Sequence, residues 1–130
     1  MQVEAQTLCG NALIWAVCSA LNQSPVVAPT GIAFRSEHGS WVYPRYTEDD
    51  EAGQLMASEW ISAERPNRGQ PTPLWRSVTD VKYKQKGYSF NQVVSAHGHS
   101  LGEAVCRALV LSRLGKMVDV PDDLLTHASS

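Results

Sequence analysis

The stretch "SLGEAVCRALVLSRLG", residues 100–115, carries the clearest helical pattern in this chain of 130 residues. Its apolar and small side chains recur every three to four positions, a spacing typical of an amphipathic helix that packs against a core. The residues on that face are Leu101, Ala104, Val105, Ala108, Leu109 and Ser112. Gly115 follows at the position where helices often end in a left-handed residue. The pattern predicts a helix over residues 100–114, which we take as the starting point for the fold.

The first turn of this helix has two interpretations. Ser100 and Glu103 form the S-x-x-E pattern of a capping box, in which the serine hydroxyl accepts a hydrogen bond from the backbone N–H of Glu103. The Glu103 carboxylate in turn accepts one from the N–H of Ser100. Residues 98–102, "GHSLG", also form the G-x-S-x-G frame of lipases and esterases. The string "GHSLGE" is similar to the active-site serine motif of malonyl-CoA acyltransferases.

A nucleophilic serine requires more than this turn. It needs a histidine base and an acid that orients the histidine, and the candidate bases are His97, His99 and His127. In α/β-hydrolases both partners follow the serine on later loops, but here only one helix and a short tail follow Ser100. We therefore interpret Ser100 and Glu103 as a structural helix cap and predict no catalytic residues. A small serine hydrolase or acyltransferase that uses Ser100 is the alternative.

The remaining segments predict an α+β protein. Residues 7–22 form a second apolar helical stripe, and residues 48–64 begin with acidic residues, which favour a helix N-terminus. The β-prone segments are residues 26–27, 31–34, 41–43, 75–81 and 88–96. The proline-rich segment 65–73 predicts a loop. We expect one domain over residues 1–130, with an antiparallel sheet covered by an N-terminal and a C-terminal amphipathic helix.

The composition argues against several functional classes. Apolar residues make up 43% and charged residues 18% of the chain, as in an ordinary globular protein. A formal net charge of -2 gives no basic footprint for general nucleic-acid binding or for an anionic membrane. No apolar run approaches the ~20 residues that span a bilayer. The first residues, "MQVEAQT", lack the pattern of a signal peptide. We expect a cytoplasmic protein without a cofactor.

The cysteines and histidines do not predict a metal site. Cys9, Cys18 and Cys106 all fall in apolar helical contexts, where a free cysteine behaves as a small hydrophobic residue. Disulfides are not expected in a reducing compartment. His97 and His99 are a close histidine pair, but no C-x-x-C motif accompanies them. We expect neither a disulfide nor a bound metal.

The middle of the chain is rich in aromatic and arginine side chains, which are the usual anchors of protein interfaces. The candidate binding residues are Trp41, Tyr43, Arg45, Tyr46, Trp60, Arg68, Trp75 and Arg76, with Arg35 and Arg65 nearby. The same residue types suit a small nucleotide-like ligand, since rings stack on a base and guanidinium groups bind phosphate. Alternatively, these aromatic residues lie in the core or in edge strands, and the arginines are solvated.

Both ends of the sequence resemble the NinX-like family of small phage-encoded proteins, whose function is uncharacterised. The similar segments are "LCGNALIWAVCSALN", residues 8–22, and "SLGEAVCRALVLSRLGKMVDVPDDLL", residues 100–125. They include Trp15, Gly115 and Pro121. In the middle, "AGQLMASEWISAE" departs from the family's tryptophan-glutamine-glycine-glycine-proline segment. The resemblance implies a phage or prophage protein in the cytoplasm of a bacterial host, and it supplies no catalytic residues.

Taken with the aromatic and arginine residues, the resemblance leads to one hypothesis and two alternatives. The hypothesis is a non-enzymatic accessory protein that binds a host or phage protein, or a small nucleotide-like ligand. The first alternative is the Ser100 hydrolase or acyltransferase. The second is a structural oligomerisation module, because the oligomeric state stays open.

Overall fold

The computed structural model describes residues 1–64, 74–85 and 88–124. The helices in these ranges are α1 (Gly10–Ala20), α2 (Asp49–Glu59) and α3 (Leu101–Leu114), and a 3-10 turn over Ala5–Thr7 precedes α1. The strands are β1 (Gln2–Glu4), β2 (Val26–Ala28), β3 (Gly31–Arg35), β4 (Trp41–Val42), β5 (Ser62–Glu64), β6 (Trp75–Gln85), β7 (Tyr88–Gly98) and β8 (Met117–Asp119). Every strand pair in these ranges is antiparallel. The mixture of helices and antiparallel strands confirms the α+β class.

Helix α3 is covered by other elements on several sides. It packs against α1, α2, β6 and β7. Its buried residues are mostly small or β-branched, namely Gly102, Ala104, Val105, Cys106, Ala108, Leu109 and Val110. Small side chains on several faces let neighbouring elements approach the helix closely. The helix predicted over residues 100–114 is confirmed, with Ser100 as its N-cap and Gly115, at a φ of 91°, as its C-cap.

The strands do not form the single sheet that the sequence predicts. Within the described ranges they form three separate sheets, β1–β8, β2–β3–β4 and β5–β6–β7. Helix α1 packs directly against α3 rather than only onto a sheet. Strands β2, β3 and β4 are 3, 5 and 2 residues long, and α2 follows them before β5 begins. Strands this short carry too little alternation to reveal their pairing partners in the sequence.

Strands β1 and β8 tie the segment before α1 to the segment after α3. The N-terminal ammonium of Met1 donates to Asp119 Oδ1 at 2.8 Å and to the carbonyl of Val120 at 3.1 Å. The N–H of Ala5 donates to the carbonyl of Lys116 at 2.8 Å. Residues 2–4 carry no strand signal in the sequence, because three residues are too few to show a two-residue period.

Tyr46, predicted as a binding residue, belongs to the core. Its side chain is 9% exposed, and its hydroxyl donates to Gln23 Oε1 at 2.9 Å. Its backbone carbonyl accepts a hydrogen bond from Cys106 Sγ at 3.2 Å. Burial raises the pKa of the Cys18 and Cys106 thiols to about 12, so both stay protonated near neutral pH. Tyr46 and these thiols therefore act as packing groups between α1, α3 and the segment before α2.

Candidate functional site

The turn at Ser100 has the geometry of a helix start. It lies between β7 and α3, but Ser100 has a φ of -133° and a ψ of 162°, an ordinary extended backbone. A nucleophile elbow instead holds its serine in a sharp, strained turn. Ser100 Oγ accepts from the N–H of Glu103 at 3.2 Å, which is the first hydrogen bond of the predicted cap. Among the described residues, no histidine side chain is hydrogen-bonded to this hydroxyl.

The prediction of the second capping-box hydrogen bond is wrong, because its donor lies one residue earlier than predicted. The Glu103 carboxylate accepts from the N–H of His99 at 3.2 Å and not from the N–H of Ser100. The same carboxylate oxygen lies 2.9 Å from Arg107 Nη1, one helical turn further along α3. Glu103 is 19% exposed and Arg107 12%. The carboxylate is therefore held between the end of β7 and a largely buried guanidinium.

Arg107 connects three elements, a role that the sequence analysis misses. Its Nε donates to the carbonyl of Leu8 and its Nη1 to the carbonyl of His97, both at 2.8 Å. The Gln6 side chain donates to the same His97 carbonyl at 2.8 Å and accepts from the His97 N–H at 3.4 Å. These bonds join α3 to the segment before α1 and to the C-terminal end of β7. The spacing of four residues between Glu103 and Arg107 is the signal that could have found this ion pair.

The two glycines of the G-x-S-x-G frame are explained by packing. A Cβ at Gly102 would lie 1.9 Å from the carbonyl oxygen of Thr47, so the segment before α2 can rest on α3 only because Gly102 has no side chain. A Cβ at Gly98 would lie 2.6 Å from the backbone nitrogen of Ala104. Close approach of β7 and of residue 47 to the first turn of α3 therefore accounts for both glycines.

The candidate binding residues do not form one cluster. Arg45 is exposed, and its Nη1 lies 3.9 Å from Glu48 Oε2 in a surface ion pair. Trp60 is 88% exposed at the end of α2, with a φ of 56°. Trp41 and Tyr43 are exposed at β4 and directly after it. Trp75 is half-buried, and Arg76 is paired with Glu64. Arg68, like Arg65, lies outside the described residues.

One concave surface combines an arginine with a tryptophan, and we call it the β3–β4 cleft. It has a volume of about 490 Å³, within the range of small-ligand sites. Its lining residues are Asn22, Gln23, Ser24, Val26, Phe34, Arg35, Ser36, Glu37 and Trp41. Of the eight candidate residues, the cleft contains Trp41. The cleft also contains Arg35, which the sequence indicates only as a residue near the candidates. The register of β3 with β4 places Arg35 opposite Trp41.

The wall of the cleft opposite the hairpin is the turn that ends α1. Asn22 and Ser24 have φ values of 60° and 51°, which non-glycine residues seldom adopt. The N–H of Asn22 donates to the carbonyl of Ser19 at 3.1 Å, and the N–H of Gln23 to that of Cys18 at 2.9 Å. These bonds, with the Tyr46 hydroxyl on the Gln23 side chain, hold the turn after α1 against the core. The two backbone bonds form a Schellman motif, in which an asparagine in the left-handed region commonly ends a helix, so Asn22 is the left-handed residue that ends α1.

Comparisons with other proteins add no assignment to this geometry. No known protein family matches the sequence, and a search of curated proteins finds no significant match. Within the described ranges, no group of three or more histidine, cysteine, aspartate or glutamate side chains could hold a metal ion. None of the helices described is both long and apolar enough to cross a bilayer.

Proposed function

We propose that this chain is a non-enzymatic binding module whose partner surface is the sheet β2–β3–β4 with Tyr43. The supporting observation is a concentration of exposed large apolar side chains between residues 26 and 43. These are Val26, Val27, Trp41, Val42 and Tyr43, and they are between 37% and 56% exposed. Apolar side chains gathered in this way mark interaction surfaces, and tryptophan and tyrosine contribute most of the binding energy at many interfaces.

A partner protein fits this surface better than a substrate does. The exposed residues lie on the two short edge strands of the sheet and directly after β4. Because successive residues of a strand face opposite sides of a sheet, Val26 and Trp41 share one face and Val27 and Val42 the other, an arrangement that suits a protein contacting both sides of the edge. At the other candidate centre, Ser100 Oγ accepts from the Glu103 N–H, and none of the described histidine side chains is hydrogen-bonded to it. A general base must be within hydrogen-bond reach of the proton that it removes. The hydrogen bonds around Ser100 thus favour the helix cap over the hydrolase or acyltransferase.

We also infer a phage or prophage accessory role, which rests on the resemblance at the two ends of the sequence. The two similar segments include α1 and α3, which pack against each other. The similarity therefore falls on the scaffold, and the proposed partner surface lies in the middle segment, where the sequence departs from the family. On this basis the expected location is the cytoplasm of a bacterial host, and the expected partner is a host or phage protein.

The test is capture of binding proteins from a bacterial host by the purified chain and by two matched variants. Trp41→Ala removes an indole from the proposed surface, whereas Trp60→Ala removes a more exposed indole from the end of α2. We expect a protein that wild type and Trp60→Ala retain and that Trp41→Ala loses. Equal retention by all three chains would contradict the proposed surface.

Two further measurements test the alternatives with the same proteins. Sedimentation of the purified chain would detect a dimer that Trp41→Ala dissociates, and this would favour the oligomerisation module. Hydrolysis of p-nitrophenyl acetate by wild type but not by Ser100→Ala would favour the enzyme. Both variants are compared by circular dichroism first, so that a loss of folding is not mistaken for a loss of function.

A further inference from the structure

The guanidinium of Arg35 is positioned by the hairpin that follows β3. The hairpin is closed by the N–H of Ser36 donating to the carbonyl of Ser40 at 2.8 Å, and Gly39 within it has a φ of 85°. Arg35 Nε donates to the Gly39 carbonyl at 3.3 Å. A Cβ at Gly39 would lie 3.8 Å from Arg35 Nη2, so the guanidinium lies over the glycine. The turn over residues 36–40 thus fixes the position of the Arg35 side chain.

The two terminal nitrogens of Arg35 are available to a ligand. Among the described residues Arg35 forms no ion pair, in contrast to Arg107 and Arg113 on α3. Its one hydrogen bond in that part of the chain uses Nε. A guanidinium that is fixed at Nε and free at both terminal nitrogens can donate two parallel hydrogen bonds to a phosphate or a carboxylate.

Trp41 provides a flat apolar surface next to this guanidinium. Arg35 and Trp41 are directly opposite each other in the pairing of β3 with β4, so their side chains stand on the same face of the sheet. Both line the β3–β4 cleft, and the indole is 56% exposed. An exposed indole can stack on the face of a planar ring, as aromatic side chains do with bases in proteins that bind single-stranded nucleic acids.

Glu37 limits the charge of the ligand that the cleft accepts. It lines the same cleft, and its negative charge offsets the positive charge of Arg35. A ligand with several phosphates would be repelled by this carboxylate, whereas one oxyanion can be bound by Arg35 alone. The polar side chains of Asn22 and Ser24 on the opposite wall add hydrogen-bonding groups for the rest of the ligand.

We propose that the β3–β4 cleft binds a small planar ring that carries one phosphate or one carboxylate, with the ring on Trp41 and the oxyanion on Arg35. The two proposed sites share Trp41, but ligand binding also needs Arg35 and the turn after α1, whereas partner binding also needs Val27 and Tyr43, so Arg35→Gln tests the ligand site alone and Tyr43→Ala tests the partner surface alone. The two proposals can therefore fail independently.

The experiment is a titration of the isotope-labelled chain with phenyl phosphate, benzoate, adenosine monophosphate and inorganic phosphate, followed by nuclear magnetic resonance. The indole N–H signals of Trp41 and Trp60 are assigned with Trp41→Phe and Trp60→Phe. We expect the Trp41 and Arg35 Nε signals to shift and saturate with at least one ring-bearing ligand, while the Trp60 signal stays in place. Binding of phenyl phosphate but not benzoate identifies a phosphate ligand, and the reverse identifies a carboxylate ligand.

Two variants test the assigned roles. Arg35→Gln keeps a polar side chain but removes the charge, and we expect it to weaken binding about tenfold or more, because it removes charge-assisted hydrogen bonds. Trp41→Ala should weaken the ring-bearing ligand by a similar factor and leave the weak binding of inorganic phosphate unchanged. No saturable shift with any probe, or an unchanged affinity in Arg35→Gln, would overturn the proposal. Tyr43→Ala serves as the control that retains ligand binding.

Discussion

Replacement of Arg107 by alanine tests whether the buried network at the start of α3 stabilises this fold. The substitution removes the two hydrogen bonds that the guanidinium donates to the carbonyls of Leu8 and His97, both 2.8 Å long. A hydrogen bond to a charged group contributes about 1.5–3 kcal/mol. Two such bonds give an upper value of about 6 kcal/mol.

Two compensations lower that value. The His97 carbonyl keeps its hydrogen bond from Gln6 at 2.8 Å, so it is not left without a partner. The Glu103 carboxylate keeps the N–H of His99 and is 19% exposed, so water can solvate part of its charge. The carbonyl of Leu8 carries most of the loss. We therefore expect Arg107→Ala to lower the free energy of unfolding by about 3 kcal/mol.

The assay is urea unfolding followed by tryptophan fluorescence, with Arg113→Ala as the matched control. Arg113 lies on the same helix and pairs with Glu59, but it is 45% exposed, so its removal should cost less than about 1 kcal/mol. Arg107→Lys keeps the charge without the fork of donors and should recover less than half of the loss. If Arg107→Ala costs no more than Arg113→Ala, the network is not the stabilising element that its geometry indicates.

Three further perturbations follow from the same contacts. Ser100→Ala removes the N-cap acceptor and should cost about 1 kcal/mol in urea unfolding, and no loss would contradict the cap. Gly102→Ala places a Cβ 1.9 Å from the Thr47 carbonyl oxygen and should cost about 2 kcal/mol or more, seen as a lower melting temperature. Stability should fall above about pH 9, because unfolded thiols ionise there, whereas burial holds the pKa of Cys18 and Cys106 at about 12 in the folded chain. The slope should approach ~1.4 kcal/mol per pH unit for each thiol, and Cys106→Ala should reduce it.

The helices could be predicted from the sequence because their signals are local. Helix α3 has an apolar stripe, a serine cap at Ser100 and a glycine at Gly115, and in the structure these two residues cap the helix; the buried surface is wider than the stripe, since Cys106 and Val110 are also buried. The acidic residues at the start of α2 likewise occupy its first turn, where the helix dipole favours them. Each of these features depends on residues within one or two turns, so no knowledge of the tertiary fold is needed.

The sheets and the candidate site depended on contacts between distant residues. Whether Arg35 meets Trp41 is decided by the register of a short hairpin, and a shift of one residue would place them on opposite faces. Tyr46 is a residue type typical of surface anchors, but the Gln23 side chain from the turn after α1 and the Cys106 thiol from α3 contact it and hold it in the core. An aromatic residue carries no local mark that distinguishes these two positions, so exposure could be assigned only from the structure.

The Ser100 turn shows why a catalytic motif must be judged by the hydrogen-bond partners of its serine. In a nucleophile elbow the serine hydroxyl donates its proton to a base, and the glycines allow a strained turn. Here the hydroxyl oxygen accepts from the Glu103 N–H, no histidine side chain in the described part of the chain is hydrogen-bonded to it, and Gly102 makes room for the backbone of Thr47. The same five letters can therefore arise from the requirements of a helix cap and of close packing. A binding function located elsewhere on the chain is consistent with this explanation, because it leaves the start of α3 free to serve the fold.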